Sequence, residues 1–355
     1  MIFGFMRRSR RTRLYPAVNV NYGLFWFDFN QAPEVMSLAA VLRAGTGYGI
    51  RRWCCAVLAL CAVVALQNLA AAAEVSLADD RGGTVVLAAP AQRIVTLTPH
   101  LAEIVFAAGA GGRLVGVARF SDYPQAAQRL PRVGDGSRVD LERIVALEPD
   151  LILAWKSGNQ AGDIARLERL GFPVFVTEPS RLEDIPRLLR AVGVLAGTAR
   201  AAELAYYEFD NNINMLRERY SRRPPLRVFY EIWHRPLITV NGNHMISDVI
   251  GLCGGRNVFA QAPVLTPTVS VEAVLAAQPD VILGGGSAAR EKEFTAQWRT
   301  SAVKALRELP VFYVEPDTIQ RQTPRIVEGA KAICEHLESV RRNRQESESK
   351  SKTKD

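Results

Sequence analysis

Residues 139–153, VDLERIVALEPDLIL, recur in altered form at residues 269–283 as VSVEAVLAAQPDVIL. The two stretches align without a gap at a constant offset of 130 residues. Each begins with a residue that can cap a helix, Asp140 or Ser270, and runs as a short helix that breaks at Pro-Asp and enters a strand rich in leucine and β-branched residues. Half of a βαβ unit therefore occurs twice, which predicts two halves of similar architecture.

Further strand signals surround the repeat in both halves. Residues 174–179 and 311–316 each read as a buried strand that ends at Glu-Pro. The strand 94–97 precedes a helix over 100–108, and residues 227–230 open the second half as another strand. Alternating strands and helices favour parallel sheets covered by helices on both faces. The predicted fold class is α/β, with two Rossmann-like lobes that each contain a parallel sheet.

A single long α-helix is predicted between the two halves. Residues 198–223 contain no proline or glycine and carry apolar residues at helical spacing, with Thr198 as the candidate cap and Pro224-Pro225 as the stop. At 1.5 Å per residue this helix would be roughly 36 Å long, a rigid spine rather than a flexible linker. The predicted domains are an N-terminal lobe at 74–197, a connecting helix at 198–224 and a C-terminal lobe at 225–340.

The two ends of the chain read differently from the body. Arg51 and Arg52 precede a short apolar run and an alanine-rich stretch that ends at Ala73, which is the pattern of a cleaved signal peptide. A membrane anchor is the alternative, but the run is shorter than the roughly 18 apolar residues that a span needs. Residues 1–73 are therefore interpreted as the signal segment of a soluble periplasmic protein, and residues 341–355 as a disordered tail.

The formal charge of +8 comes from these two ends. Residues 1–73 carry +6 and residues 341–355 carry +3, so that residues 74–340 carry −1. The nearly neutral body has no basic patch with interleaved aromatic residues, which argues against a nucleic-acid partner.

Two cysteines remain once the signal segment is removed. Three of the five cysteines lie within residues 1–73, which leaves Cys253 and Cys334. An even pair in an exported protein suggests a disulfide, with two buried free thiols as the alternative.

Four groups of residues form a recognisable ensemble of motifs. They are Ser121-Asp122-Tyr123-Pro124, LERIVAL at 141–147, Pro149-Asp150 with Ala154-Trp155, and Leu252-Cys253-Gly254-Gly255 with Asn257 and Phe259. The ensemble extends from about Arg93 to about Leu337 and resembles the cobalamin-binding proteins of bacterial ABC importers. These motifs are more specific for the wider class of cobalamin- and ferric-siderophore-binding proteins than for cobalamin binders alone. The resemblance implies a monomeric periplasmic protein without catalysis or cofactor, which holds cobalamin in a cleft between helix-linked lobes and delivers it to an inner-membrane permease dimer.

The resemblance also implies a set of ligand contacts. A corrin has a broad apolar body and a rim of amides, so its pocket needs flat aromatic surface and a few polar groups, placed beyond the carboxyl ends of the strands. Gly136 and Thr266 stand where the family has tryptophans, so either Phe120 and Trp233 compensate or the cargo differs. The implied ligand-binding residues are Tyr123, Trp155, Trp233, Asp317 and Arg321.

Glu142 and Glu272 occupy the same position in the two repeats, in the first turn of each helix. A negative charge there stabilises a helix by roughly 0.3 to 1 kcal/mol through the helix dipole. The resemblance implies a further role, in which the two glutamates meet arginines on the two permease subunits, since such charge pairs set register and encounter rate. It likewise implies that Cys253 and Cys334 pair.

Three alternatives stay open. A ferric siderophore or haem as cargo would want a cluster of arginines, for which Arg119, Arg235 and Arg321 are candidates. An α/β enzyme is disfavoured because the glycine-rich runs lack the G-x-G-x-x-G order and no nucleophile elbow occurs. A sensor or adaptor could use the same trap. No metal site is predicted because no histidine lies at ligand spacing, although His100 and His234 follow strand ends and could face the cleft.

Overall fold

The computed structural model describes residues 74–285 and 291–352, all of which belong to one compact unit, Ala71–Asp355. The predicted signal segment, residues 1–73, lies outside the described residues. Within the described part, no helix is both long and apolar enough to cross a membrane. The elements are β1 (Val75–Ala78), β2 (Thr84–Leu87), β3 (Ile94–Thr96), α1 (Pro99–Ala107), β4 (Leu114–Val117), α2 (Leu141–Ala146), β5 (Leu151–Trp155), α3 (Ala161–Arg169), β6 (Val174–Thr177), α4 (Asp184–Leu195), α5 (Ala199–Tyr220), β7 (Leu226–Glu231), α6 (Met245–Leu252), β8 (Gly255–Asn257), α7 (Val271–Ala276), β9 (Val281–Gly284), α8 (Glu291–Arg299), α9 (Lys304–Arg307), β10 (Val311–Tyr313), α10 (Pro316–Ile319) and α11 (Ile326–Lys352).

Each lobe contains a four-stranded sheet in which every pair of neighbours is parallel. The strand order is β4-β3-β5-β6 in the first lobe and β10-β9-β7-β8 in the second, while β1 and β2 form a separate antiparallel pair. Along β5, Leu151 and Leu153 pack into one apolar cluster and Ile152 and Ala154 into another. Both faces of the sheet are therefore buried, as parallel sheets require. The predicted fold class, two parallel α/β lobes joined by one long helix, is confirmed.

The two repeats begin in the same way in three dimensions. The Asp140 carboxylate accepts a hydrogen bond from the backbone N–H of Arg143 at 3.0 Å, ahead of α2. The Ser270 hydroxyl accepts one from the N–H of Ala273 at 3.2 Å, ahead of α7. Each side chain satisfies a backbone donor that the first turn of a helix leaves free, which confirms both predicted caps.

The two repeats also end in the same way. Arg93, just before β3, donates from Nη2 to the Leu147 carbonyl at 2.6 Å, and Arg227, in β7, donates from Nη2 to the Ala277 carbonyl at 2.7 Å. In addition, the Asp150 carboxylate accepts from the Arg93 backbone N–H at 2.8 Å. The Asp280 carboxylate makes the same bond to the Arg227 N–H at 2.6 Å. An arginine thus satisfies the last carbonyls of each short helix and ties it to its sheet.

The connecting helix is α5, which begins and ends close to the predicted bounds. Thr198 occupies the N-cap position, but its side chain makes no capping hydrogen bond. At 1.5 Å per residue the 22 residues of α5 span roughly 33 Å. Its buried side includes Phe209 and Ile213, whereas Leu204 and Met215, two of the apolar residues at helical spacing, face solvent. One continuous apolar cluster includes α5 and residues of both lobes, so the helix acts as a spine.

The prediction of a disordered tail was wrong for residues 341–352, which continue helix α11. Arg341 is 5% exposed and donates from Nη2 to the carbonyl oxygens of Cys253 and Gly254 at 2.9 and 3.0 Å. Arg344 forms an ion pair with Asp280 at 2.7 Å. The composition of this segment predicted solvated charges, but Arg341 and Arg344 bind partners on the second lobe.

Cys253, directly after α6, and Cys334, in α11, form a disulfide with an S–S distance of 2.01 Å. Both cysteines are fully buried. The implied pairing is thus present in the structure and joins the last helix to the body of the second lobe.

Candidate ligand-binding cleft

A cavity of about 320 Å³ lies between the two lobes. The carboxyl ends of β5 and β6 form its first wall, and the loops after β7 and α10 together with the start of α6 form its second. Open α/β sheets bind ligands in this position. A larger groove, of about 630 Å³, runs beside α5 and α6 away from the strand ends, so the cleft is the candidate ligand site. The cleft is lined by Trp155, Ser157, Glu178, Pro179, Ser180, Ile232, Asn243, His244, Met245, Ile246, Leu265, Thr266, Gln320 and Gln322.

Trp155 is the predicted ligand residue that lines this cavity. Its backbone N–H donates to Asn159 Oδ1 at 2.8 Å, and Asn159 in turn donates from Nδ2 to the Leu97 carbonyl at 3.1 Å. His100 packs edge-on against the indole, with ring centroids 5.1 Å apart. The backbone of Trp155 is therefore held by the loop after β5, and its indole packs against a side chain of α1, while its Nε1 is buried without a hydrogen-bond partner.

The cavity wall contains few charged side chains. Ser157 donates from its backbone N–H and from Oγ to the Glu178 carboxylate at 2.9 and 2.8 Å. His244 accepts at Nδ1 from the Ile246 N–H at 3.2 Å, and burial lowers the pKa of His244 to about 4, so it is neutral at pH 7. Its proton then sits on Nε2, which makes it a further donor. Among the described residues that line the cavity there is no lysine or arginine.

Two other predicted residues, Asp317 and Arg321, meet outside the cavity lining in an ion-pair network between the lobes that we call the inter-lobe ion cluster, and a third, Tyr123, packs against it. Arg321 lies at its centre and pairs with Glu103 at 2.9 Å, Asp122 at 2.6 Å and Asp317 at 2.8 Å. The cluster consists of Glu103, Asp122, Asp317, Arg321 and Arg325. The Tyr123 ring lies under the Arg325 guanidinium, 4.0 Å from carbon to ring centroid.

Sequence reasoning missed Glu103 and Arg325. Glu103 is a lone acid in the apolar helix α1, where an unpaired buried carboxylate would be costly. That isolation is the signal that could have marked it as a residue with a distant cationic partner. Arg325 carried no comparable signal, because nothing local distinguishes it from a solvated arginine.

The remaining aromatic candidates lie outside the cavity lining. Trp233 is 46% exposed, and its Nε1 donates to the Arg235 carbonyl at 2.9 Å. Phe120 is 67% exposed and packs beside the Arg119 guanidinium at 5.7 Å. The side chain of Arg119 is directed to Asp135 at 3.9 Å.

Neither histidine that was expected to follow a strand end lines the cavity. His100 lies behind Trp155, and burial together with the charge of Arg321 lowers the pKa of His100 to about 3. The Nδ1 atom of His234 lies 3.4 Å from a carboxylate oxygen of the buried Glu231, whose other oxygen accepts from Trp298 Nε1 at 2.7 Å. In the described ranges, 74–285 and 291–352, no three His, Cys, Asp or Glu side chains come together as a metal ligand set.

Glu142 and Glu272 lie in the first turns of α2 and α7 and are exposed. A backbone hydrogen bond at Glu272 and the Ser270 hydroxyl lower the pKa of the Glu272 carboxyl, so it is ionised at neutral pH. Neither glutamate forms an ion pair with a residue in the described part of the chain. Two like charges are thus presented at equivalent positions of the two lobes.

Two parallel α/β lobes, a helical spine and a cleft at the strand ends define the helix-linked class of solute-binding proteins. Residues 94–318 match the periplasmic binding protein family, and the chain belongs to that family.

Individual relatives make the comparison more specific than the family match. The chain is 36% identical over 255 residues to a vitamin B12-binding protein of Vibrio parahaemolyticus, covering 72% of this chain and 92% of that protein. It is 36% identical over 250 residues to a vitamin B12-binding protein of Yersinia pestis, covering 70% of this chain and 88% of that protein. The crystal structure of the periplasmic vitamin B12-binding protein BtuF of Vibrio cholerae superposes with a TM-score of 0.65 at 34% identity, covering 71% of this chain and 98% of that one. A periplasmic haem-binding protein, BhuT, shares the fold with a TM-score of 0.62 at 23% identity, covering 70% of this chain and 98% of that one.

Proposed function

We propose that this protein is a periplasmic solute-binding protein that captures cobalamin in the inter-lobe cleft and delivers it to an inner-membrane ABC permease. The observation that carries the proposal is the cleft wall, which combines the flat indole of Trp155 with neutral hydrogen-bonding groups and, among its described residues, no cation. A corrinoid has an apolar macrocycle with uncharged amides on its rim, and this wall is complementary to both. The names of the relatives that are 36% identical support the same cargo.

The wall argues against the anionic cargoes. Haem carries two carboxylates, and ferric siderophores with acidic groups would also need cationic partners. Of the candidate arginines, Arg119 is directed to Asp135, and Arg321 would keep Asp317 of its own lobe as a carboxylate partner when the lobes separate. The cleft itself contains Glu178, whose charge would repel an anion. A neutral ligand therefore fits this cleft better than haem.

The cavity is smaller than a whole corrinoid, so binding requires the lobes to separate. Separation would expose the aromatic and ionic groups at the rim, because Arg321 would leave Asp122 on the opposite lobe. In this arrangement Tyr123, Trp233, Asp317 and Arg321 would contact the corrin rim, while Trp155 would contact the ring. These roles belong to the proposal.

The proposed function also includes docking of this protein to the permease, its export, and the absence of a catalytic activity. Glu142 and Glu272 would meet basic residues on the two permease subunits, since they are charged, exposed and equivalently placed. Residues 1–73 would direct export, and the protein would act as a monomer without a cofactor or a catalytic step.

Calorimetric titration of residues 74–355 with cyanocobalamin, haemin and a ferric siderophore tests the cargo. We expect tight one-to-one binding of cyanocobalamin and little heat with the other two. Trp155→Ala should weaken binding strongly, whereas Trp298→Phe, a change at a buried tryptophan outside the cavity lining, should leave the affinity unchanged. Heat with haemin or the iron chelate and none with cyanocobalamin would reject cobalamin as the cargo.

A further inference from the structure

The turn that follows β5 folds back against the side chain of Trp155. The backbone N–H groups of Gly158 and Asn159 donate to the Trp155 carbonyl at 3.3 and 2.9 Å. A Cβ atom added to Gly158 would lie 1.9 Å from Cε3 and 2.5 Å from Cζ3 of the indole. Carbon atoms that are not bonded to each other approach to about 3.5 Å. The indole therefore occupies the space that a side chain at position 158 would need.

The backbone conformation of Gly158 does not by itself require a glycine. Its φ is not positive, whereas the φ of Gly134 is 108°. An alanine is strained by a positive φ but accepts the ordinary regions of negative φ. The contact with the indole is therefore what a side chain at position 158 would disturb.

The turn that carries Gly158 is held by the end of β6. Ser157 donates from its N–H and from Oγ to the Glu178 carboxylate at 2.9 and 2.8 Å. The Lys156 N–H donates to the Thr177 carbonyl at 2.9 Å. Because these bonds fix the turn, a methyl group at position 158 would displace the indole more easily than the turn.

A second glycine packs against the same turn. A Cβ atom at Gly136, in the loop before α2, would lie 2.8 Å from the carbonyl oxygen of Gly158. The φ of Gly136 is not positive either. A side chain at Gly158 would thus press on Trp155 directly, and one at Gly136 would press on it through the backbone of the turn.

The direction in which the indole would move follows from its neighbours. His100 packs edge-on against the ring with centroids 5.1 Å apart, and Trp155 also lines the cavity. A ring pushed from Gly158 and blocked by His100 would turn into the cleft. We propose that Gly158 is a positioning residue that holds Trp155 in the pose that receives the ligand, with Gly136 leaving room for the turn. The role rests on the proposed cobalamin-binding function, in which the indole contacts the corrin ring.

Calorimetric titration with cyanocobalamin tests the effect on the ligand. Gly158→Ala should weaken binding by about tenfold, since a turned indole loses its contact with the corrin ring and narrows the cleft. Gly136→Ala should weaken binding less, because it reaches the indole only through the backbone, and it provides the test if Gly158→Ala does not fold. Gly162→Ala is the matched control, since a Cβ atom there would meet no atom within 4 Å, and it should bind as wild type.

A double-mutant cycle on the unliganded protein separates positioning of Trp155 from a general effect on folding. Gly158→Ala should shift the urea midpoint of wild type to lower concentration, because overpacking destabilises a core. The same change should have little effect in the Trp155→Ala background, where the indole is absent. Gly162→Ala should give the same small shift in both backgrounds.

Two results would overturn the positioning role while the proposed function stands. One is a Gly158→Ala protein that binds cyanocobalamin as tightly as wild type. The other is an equal shift of the urea midpoint by Gly158→Ala with and without the Trp155 indole. If wild type binds no cyanocobalamin, the proposed function fails, and the role of Gly158 toward the ligand fails with it, whatever the unfolding cycle shows.

Discussion

Glu103 of the first lobe and Arg325 of the second form a two-pronged ion pair in which Nε lies 2.8 Å from Oε2 and Nη2 lies 2.7 Å from Oε1. The side chain of Glu103 is 2% exposed, so its charge depends almost entirely on protein partners. Arg321 donates to the same carboxylate at 2.9 Å. A buried carboxylate of the first lobe is therefore shared by two arginines of the second lobe.

Replacing Glu103 by glutamine should lower the free energy of unfolding by about 3 kcal/mol, because removal of one partner leaves a buried charge uncompensated. Urea unfolding followed by circular dichroism measures the change. Glu203→Gln is the matched control, since Glu203 makes a similar two-pronged pair with Arg190 on the exposed surface. Surface pairs contribute little, so the control should unfold close to wild type, and equal effects of the two changes would contradict the role of Glu103.

Reversing the charge of both repeat glutamates, Glu142→Lys with Glu272→Lys, should abolish cobalamin uptake by cells. The calorimetric affinity for cyanocobalamin should stay within about twofold of wild type, because charge pairs at a docking surface affect the encounter rate and the register of the two proteins. The control reverses two exposed glutamates of α5, Glu208→Lys with Glu218→Lys, and should support normal uptake. Weakened ligand binding in the first variant, or equal loss of uptake in both variants, would contradict the docking role of Glu142 and Glu272.

Removing the disulfide with Cys253→Ala and Cys334→Ala should lower the free energy of unfolding by about 4 kcal/mol, since the bond closes a loop with a sequence separation of 81 residues. The change is measured as a shift of the urea midpoint in oxidising buffer. A reducing agent should destabilise wild type and leave the variant unaffected. Free thiol in the oxidised, denatured wild-type protein would show that the bond does not form.

Burial lowers the pKa of His100 to about 3, with a further contribution from the charge of Arg321. In the unfolded chain the imidazole binds its proton near pH 6.5, so the unfolded state takes up more protons below that pH. The stability associated with neutral His100 is thus fully present above pH 6.5 and is lost as the pH falls toward 3. His100→Leu should flatten the fall of unfolding free energy between pH 6.5 and 4.5, and curves that run parallel to wild type would contradict this.

The α/β fold with two similar lobes could be predicted from local sequence because the signals that specify it are local. Asp140 and Ser270 cap their helices, and the Pro-Asp breaks precede strands in both copies, whatever the rest of the chain does. The same locality explains why exposure of Glu142 and Glu272 was predictable, since the first turn of a capped helix places these side chains on the outside.

Only the tertiary structure decided which candidate residues share a site. Trp155 lines the cleft, whereas Arg321 lies in the ion cluster with Glu103, 218 residues earlier in the chain. Arg341 was assigned to a solvated tail, yet it binds the Cys253 carbonyl, 88 residues away. The period and composition of a segment determine its own conformation and its buried face. They carry no information on which distant charge or carbonyl meets that segment, because that depends on how the packed elements bring separate parts of the chain together.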